Sequence, residues 1–524
     1  MLVLENKKIE SIIKNAVKLF YVIAGAIFFW LILNIILNNC FVDPSSYGGD
    51  FVITSYYNPI IILILVSIAY FVLTKMYSFF ITSKKAVSIV LFVLIFCLQV
   101  FMAQNLAYDI SDTSKFTDFG IIVDSAKCIS SGGTYENVYF QNTPYQVGII
   151  SEIIVWNRIL MSLGFKEFNS NCIALNIISI DLAILGGFFM SRIIWKNNKM
   201  ANLFLLFSLF FSPFYTFISY YYSDSLSIPF AIWGVCLYAF LNTYASKIAV
   251  WKSVLLWIAM IVIFIIGIFI KATVGIALIA IFLHIILSRQ SIIKIGCALL
   301  SFLILSSCFK TVVYSYIDDN NWFGYKISNE EGYPKEFWFL MGSNEKRLGA
   351  YPPEDVYAII GLETRKEQRD TSIQLTVDRL KEYGVAGYIK FLTTKNNWMW
   401  GEGRYFATEL LGWFPHINNN SIILNFLIRD KIGSTIFCYW SQCIQVLILC
   451  LFLGAFFGGA KSGELDMIFV INITIFGVLI FFSLWESRPR YLFNYTPFFI
   501  ISAISGLEKV RGNGKAFFRY IFKN

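Results

Sequence analysis

The chain has 524 residues, 57% of them hydrophobic and 14% charged, with a mean hydropathy of +0.65. Soluble domains carry about 25% charged residues, so a soluble globular class is excluded. The formal charge of +9 comes from 42 Lys+Arg against 33 Asp+Glu. With no zinc-like cysteine spacing and no Arg-rich tail, nucleic acid is excluded as a partner, and membrane topology accounts for the excess.

Repeated long apolar runs predict an all-α polytopic membrane protein, because a backbone in lipid must satisfy its own hydrogen bonds. Residues 1–15 are basic (Lys7, Lys8, Lys14) and lead into a first span at 17–38, read as a retained anchor. A second span covers 58–75, and Lys75, Lys84 and Lys85 separate it from a third at 87–107. Basic loops face the cytoplasm, which places the loop after the third span outside. That loop, 108–169, carries Asp109, Asp112, Asp118 and Asp124. Within it Phe119, Ile122, Val123, Ala126 and Ile129 recur at helical spacing behind Thr117, a fair N-cap. Gly132-Gly133 ends that helix. A second amphipathic helix over 146–163 contains Glu152 and Arg158 and is placed on the membrane interface rather than through it.

The remaining spans are expected at 170–191, 201–219, 226–243, 253–270, 273–288, 295–314, 433–456, 466–484 and 490–507. A second large outer segment, 315–430, contains a helical run near 354–389. The total is about twelve transmembrane helices with both termini cytoplasmic. The chain divides into an N-terminal pair of spans (1–86), a central module (87–314), the outer segment (315–430) and a C-terminal three-span unit (431–524).

With this topology the conspicuous polar residues at span ends fall on one side: Asp118, Asp224, Lys271, Glu486, Arg488 and Arg490, joined by Lys395, Glu402, Arg404 and His416 from 315–430. Each has a plain alternative as a helix cap or a snorkelling side chain. Asp118 is the first candidate for a catalytic carboxylate and Asp112 its rival. The turn WESRPRY, 485–491, sets two arginines on the side that disfavours them, which suits a phosphate or pyrophosphate ligand. His416 has no HExxH or carboxylate–histidine cluster beside it, so a metal centre is not indicated there. No cofactor is certain, and a divalent cation in the carboxylate loop stays open.

The segments TDFGIIVDSAK, YFQNTPYQVGIIS, YSDSLSIPF and ESRPRYLFNYTP, with Lys271 opening a helix, follow one another in a shared sidedness. In these the chain resembles bacterial multi-spanning glycosyltransferases of the GT-C fold, in particular those related to protein O-mannosyltransferases and aminoarabinose transferases. The resemblance implies a polyprenyl-phosphate-linked sugar as donor and an extracytoplasmic glycan, lipid or protein as acceptor. It implies Asp118 as the catalytic residue and Lys271, Arg488 or Arg490, and Lys395 as holders of the lipid phosphate; Asp224, Glu486, Tyr145, Glu402 and His416 are the further candidates for substrate contacts. The chemistry is coherent: a leaving phosphate ester needs charge stabilisation, and a weak acceptor hydroxyl needs a base. The competing readings are a transporter or flippase of a lipid-linked saccharide, with charges deep in several spans, and an inactive envelope scaffold.

Overall fold

The computed structural model describes residues 2–38, 40–43, 50–54, 57–79, 82, 84–112, 117–289 and 292–521. Nine helices among them are long and apolar enough to cross a membrane. They are Lys8–Asn38, Pro59–Ser78, Lys85–Leu106, Phe168–Trp195, Ser223–Lys247, Val250–Ile270, Ile295–Asp319, Lys431–Ser462 and Met467–Leu484. The chain is thus a helical, multi-pass membrane protein; a two-stranded ribbon, Phe41–Val42 with Ile53–Thr54, is its sheet component among the described residues.

The other three expected spans take different shapes, each for a local reason. Over 201–219 the helix Asn198–Phe210 stops, and a single turn, Pro213–Thr216, starts anew. Proline lacks the N–H a continuous helix would need there. Over 273–288 a 3-10 turn, Ala272–Val274, leads into Gly275–Leu287, which at about 1.5 Å per residue reaches only some two-thirds of a bilayer core. Over 490–507 the chain enters as a 3-10 segment, Pro489–Tyr495, and continues as Thr496–Ile521. All three departures border polar residues of the site described below.

The loop 108–169 contains the helix its periodicity predicts. The helix Asp118–Ser130 buries Phe119, Ile122, Val123, Ala126 and Ile129, and the Thr117 hydroxyl accepts a hydrogen bond from the Gly120 amide at 3.1 Å. Gly132 follows in the left-handed region, with φ of +89°. The second amphipathic helix runs Val147–Ser162 and packs against the helices Asp118–Ser130, Phe168–Trp195 and Val250–Ile270. Its Gly148 is pressed against the backbone of Phe269 and Ile270, immediately before Lys271, so an added Cβ would run into the Phe269 carbonyl. Gly148→Ala should therefore destabilise by about 1–3 kcal/mol through overpacking, against the usual gain from Gly→Ala in a helix. Thermal unfolding of the purified variant checks it; an unchanged or higher melting temperature would show that this contact is slack.

In 315–430 the expected run 354–389 resolves into Pro353–Ile360 and a long helix, Arg365–Gly401. Thr364 and Glu367 form a reciprocal capping box at its start, and Gly384, at φ +57°, breaks it midway. The helix extends beyond residue 389, and its last turns are buried: Trp400 packs edge-on to Phe28 at 5.6 Å and Asn397 donates to the Asn34 carbonyl at 3.2 Å, both on Leu2–Asn38.

Candidate functional site

Asp224 sits on a one-turn helix, Ser223–Leu226, and is fully buried. Lys271 occupies the extended junction between Val250–Ile270 and the 3-10 turn Ala272–Val274. Arg490 lies in the first turn of Pro489–Tyr495. These three elements are remote in sequence, yet the side chains meet. The Lys271 ammonium pairs with Asp224 Oδ1, and Arg490 Nη1 donates to Asp224 Oδ2 at 2.8 Å. Counted alone, one carboxylate between two cations leaves one positive charge unmatched, and the buried Glu486 carboxyl lies nearby, bonded to Tyr491.

Tyrosines enclose the triad. The Arg490 guanidinium lies 4.8 Å from the Tyr222 ring centre and 5.0 Å from that of Tyr491, and it donates to the Tyr220 hydroxyl at 3.1 Å. Lys271 Nζ is 4.8 Å from the Tyr491 ring, whose hydroxyl donates to Glu486 at 3.0 Å. Gln146 donates to the Tyr222 hydroxyl at 3.0 Å. Such faces favour cations and hold them without neutralising their charge. Sequence reasoning gives these tyrosines no role; the run SYYYSDS was the available signal, but only the fold shows which ring faces which cation.

Asp118 enters through its neighbour. Phe119 stacks on Tyr220 at 4.7 Å, the same tyrosine that accepts from Arg490. Asp118 itself is exposed, in the first turn of its helix. Its charge is felt across the site: burial drives the Tyr222 phenol well above its ordinary value, and the Asp118 carboxylate is the next cause. Burial likewise raises the Glu486 carboxyl, with Arg488 opposing and Asp118 adding to the rise. Asp118, Asp224, Lys271, Glu486 and Arg490 thus share one electrostatic neighbourhood. Arg488 is half-buried and lies 5.7 Å from the Phe406 ring centre. Tyr145 is exposed, its ring edge-on to Trp338 at 5.6 Å. Asp112 ends a 3-10 turn, Ile110–Asp112, and its side chain lies outside the described residues.

Three expected site residues are engaged elsewhere. Lys395 is buried and donates to the carbonyls of Gly342 at 2.7 Å, Trp485 at 2.8 Å and Ser483 at 3.1 Å. Three acceptors take up all three of its protons, so it clamps the segment 315–430 to the end of Met467–Leu484. His416 has both ring nitrogens within 3.0 Å of carbonyls, those of Leu106 and Leu411, and its backbone bridges Tyr108. Glu402 pairs with Arg404 at 3.2 Å, and Arg404 pairs with Glu409 at 3.1 Å, a cluster separate from the Asp224 triad.

One guanidinium cannot neutralise two buried carboxylates. Burial pushes the Glu402 carboxyl up to about 8, with Glu409 adding and Arg404 opposing. An unfolded glutamate titrates near about 4.3, so between that value and the raised one the folded protein holds a proton the unfolded chain has released. This contribution to stability is complete below the unfolded pKa and is lost as pH rises through the folded one. Melting temperature should accordingly fall between about pH 5 and about pH 8, and Glu402→Gln should flatten that dependence. An equally steep fall in the variant would assign it to other groups.

Among the described residues no three His, Cys, Asp or Glu side chains gather into a set that could hold a metal ion. Asp224, the most buried acid of the site, is flanked by two cations that a divalent ion would have to displace. The Asp224 triad does not suit such an ion; the carboxylate loop, where a divalent cation is left open, includes residues 113–116 and the Asp112 side chain, which lie outside the described residues.

A family described as "Conserved hypothetical integral membrane protein" has a model that matches residues 7–510. No curated protein matches the sequence. Among solved structures the chain is similar to the archaeal oligosaccharyltransferase AglB from Archaeoglobus fulgidus, solved with an inhibitory peptide and a dolichol-phosphate. The identity is 10%, the TM-score 0.44, and the match covers 83% of this chain and 51% of that one, so this chain spans about half its length.

Proposed function

The chain belongs to this family of integral membrane proteins, and from that premise we propose that it is a glycosyltransferase working at the membrane surface. It would move a monosaccharide from a polyprenyl-phosphate donor to an extracytoplasmic glycan, lipid or protein. The observation that carries this reading is the buried triad: Asp224 shared between Lys271 and Arg490, two cations to one carboxylate at the ends of apolar helices, with an exposed carboxylate, Asp118, beside it.

In this reading Lys271 and Arg490 receive the phosphate ester, while the prenyl chain stays among the helices. Arg488, less engaged than either, is a third cation within reach. Asp224 holds the two cations in place, and the tyrosines keep water from screening them. Asp118 takes the proton from the acceptor hydroxyl as its oxygen bonds to the anomeric carbon. The bond from that carbon to the phosphate oxygen breaks, and the lipid phosphate leaves with the electron pair. Lys395 acts by clamping the outer segment over the helix ends rather than by touching phosphate.

The test is transfer from a panel of radiolabelled polyprenyl-phosphate monosaccharides by protein in liposomes, with envelope extract as acceptor source. A new glycosidic bond that depends on Arg490 supports the proposal; translocation of the donor without bond formation replaces it with the flippase reading. One observation favours that second reading: Asp181 on Phe168–Trp195 and Gln99 on Lys85–Leu106 are buried at mid-span.

A further inference from the structure

A cavity of about 440 Å³ lies between the residues that follow Gly401, the first turns of Lys431–Ser462 and Tyr57, just before Pro59–Phe79. Its volume is within the range of small-molecule sites, roughly 300–1,000 Å³. None of its lining residues belongs to the triad. We propose that this cavity binds a single neutral pyranose ring, seated against Trp413 and hydrogen-bonded by Thr408, Glu409 and Arg404.

Three aromatic faces contribute to it, Tyr57, Tyr439 and Trp413, the last 39% exposed. Flat π-faces suit the C–H-bearing side of a sugar ring, whose apolar face and polar edge match an aromatic wall with a polar rim. The polar groups offer both hydrogen-bonding senses, as hydroxyls require. Glu409 accepts, Thr408 carries a hydroxyl that donates to Glu409 at 2.8 Å, and the buried Arg404 Nε has no protein partner. Arg404 lies between the carboxylates of Glu402 and Glu409, so the cavity has no positive surplus to attract an anion. The number of buried polar groups disfavours an acyl chain, which would leave them unsatisfied.

The backbone around the cavity is built under strain. Tyr405 and Phe406 lie consecutively at φ +56° and +67°, a region that residues with side chains seldom adopt. Gly403 beside them is backed onto the Ser441 carbonyl. The opposite wall includes a π-helical turn, Asn425–Arg429, a form that recurs at functional sites. The Phe406 ring, edge-on to Trp413 at 5.7 Å, also lies 5.7 Å from the Arg488 guanidinium, so a single ring separates Trp413 from that arginine.

The full chain in nanodiscs, probed by saturation-transfer NMR with methyl α-mannopyranoside, methyl β-glucopyranoside and methyl β-N-acetylglucosaminide, tests the proposal. At least one glycoside should show transfer to its ring protons. Trp413→Ala should weaken its binding roughly tenfold, the effect expected of one aromatic anchor. Gly412→Leu is the second variant, because a side chain begun at Gly412 meets no atom within 4 Å and enters a position lining the cavity. It should abolish binding while leaving the melting temperature unchanged. Glycosyl transfer assayed on the same nanodisc preparations separates the two readings: glycoside binding without glycosyl transfer counts against the transferase reading alone, and glycosyl transfer without glycoside binding overturns this proposal alone. The same sugars carried on a lipid in the nanodisc show whether a membrane-borne or a free saccharide is preferred. No transfer from any glycoside, or transfer that survives both cavity variants, overturns the proposal.

Discussion

Arg490→Gln should lower the affinity for polyprenyl phosphate by roughly 10²-fold and cost about 3 kcal/mol of stability. Both effects come from one geometry. Arg490 Nη1 is 2.8 Å from Asp224 Oδ2, and both side chains are almost wholly buried. Removing one member of such a pair leaves the other in a medium that cannot solvate it. Lys271 still faces Asp224, which keeps the loss toward the low end of the range for broken buried pairs.

A second variant tests the coupling within the triad. In Arg490→Gln the Asp224 carboxylate keeps Lys271 as its partner, whereas adding Asp224→Asn strips the buried Lys271 ammonium of that partner too. The double variant should therefore be less stable than Arg490→Gln alone, a coupling of the kind double-mutant cycles detect. It should not recover phosphate binding. Arg490→Lys should retain the charge but lose the planar guanidinium, whose Nη1 donates to both Asp224 and the Tyr220 hydroxyl, and so bind the lipid phosphate at an intermediate level. Wild-type affinity in a folded Arg490→Gln protein would remove the triad from the phosphate site.

Asp118→Asn should reduce transfer by roughly 10²- to 10⁴-fold while leaving lipid-phosphate binding and the melting temperature near wild type. The split follows from its position. Asp118 is exposed, so removing its charge orphans no buried partner, and its backbone already begins a helix capped by the Thr117 hydroxyl. What it loses is the ability to accept a proton from the acceptor as the new bond forms. A carboxylate acting only as a helix-terminal charge would cost about 1 kcal/mol or less in stability and nothing in rate. Steady-state transfer and thermal unfolding of the same preparation discriminate. Full turnover by folded Asp118→Asn would move the role to another carboxylate, with Asp112→Asn as the matched experiment.

Several features were legible before any fold was known, and each is local. The apolar runs mark most of the spans, because what makes a segment cross lipid is its own composition and length. The helix Asp118–Ser130 was legible from Thr117, the three-and-four spacing of Phe119, Ile122, Val123, Ala126 and Ile129, and the glycine pair that follows. The fifth, eighth and last expected spans were harder. Pro213 and the 3-10 entries at Ala272 and Pro489 interrupt segments whose hydropathy alone reads as continuous.

By itself the sequence determined a multi-pass helical protein and which polar residues stand at the ends of its apolar runs. Only the tertiary structure decided their partners. Asp224 and Arg490 are 266 residues apart, and nothing near either one specifies the other. Lys395 reads in the sequence like Lys271, a cation among apolar residues, yet it is spent on three carbonyls, while Lys271 reaches the buried carboxylate. Hydropathy and helical periodicity are properties of neighbours along the chain. Ion pairing is a property of neighbours in space, set by which helix ends the packing of the bundle brings within about 4 Å of one another.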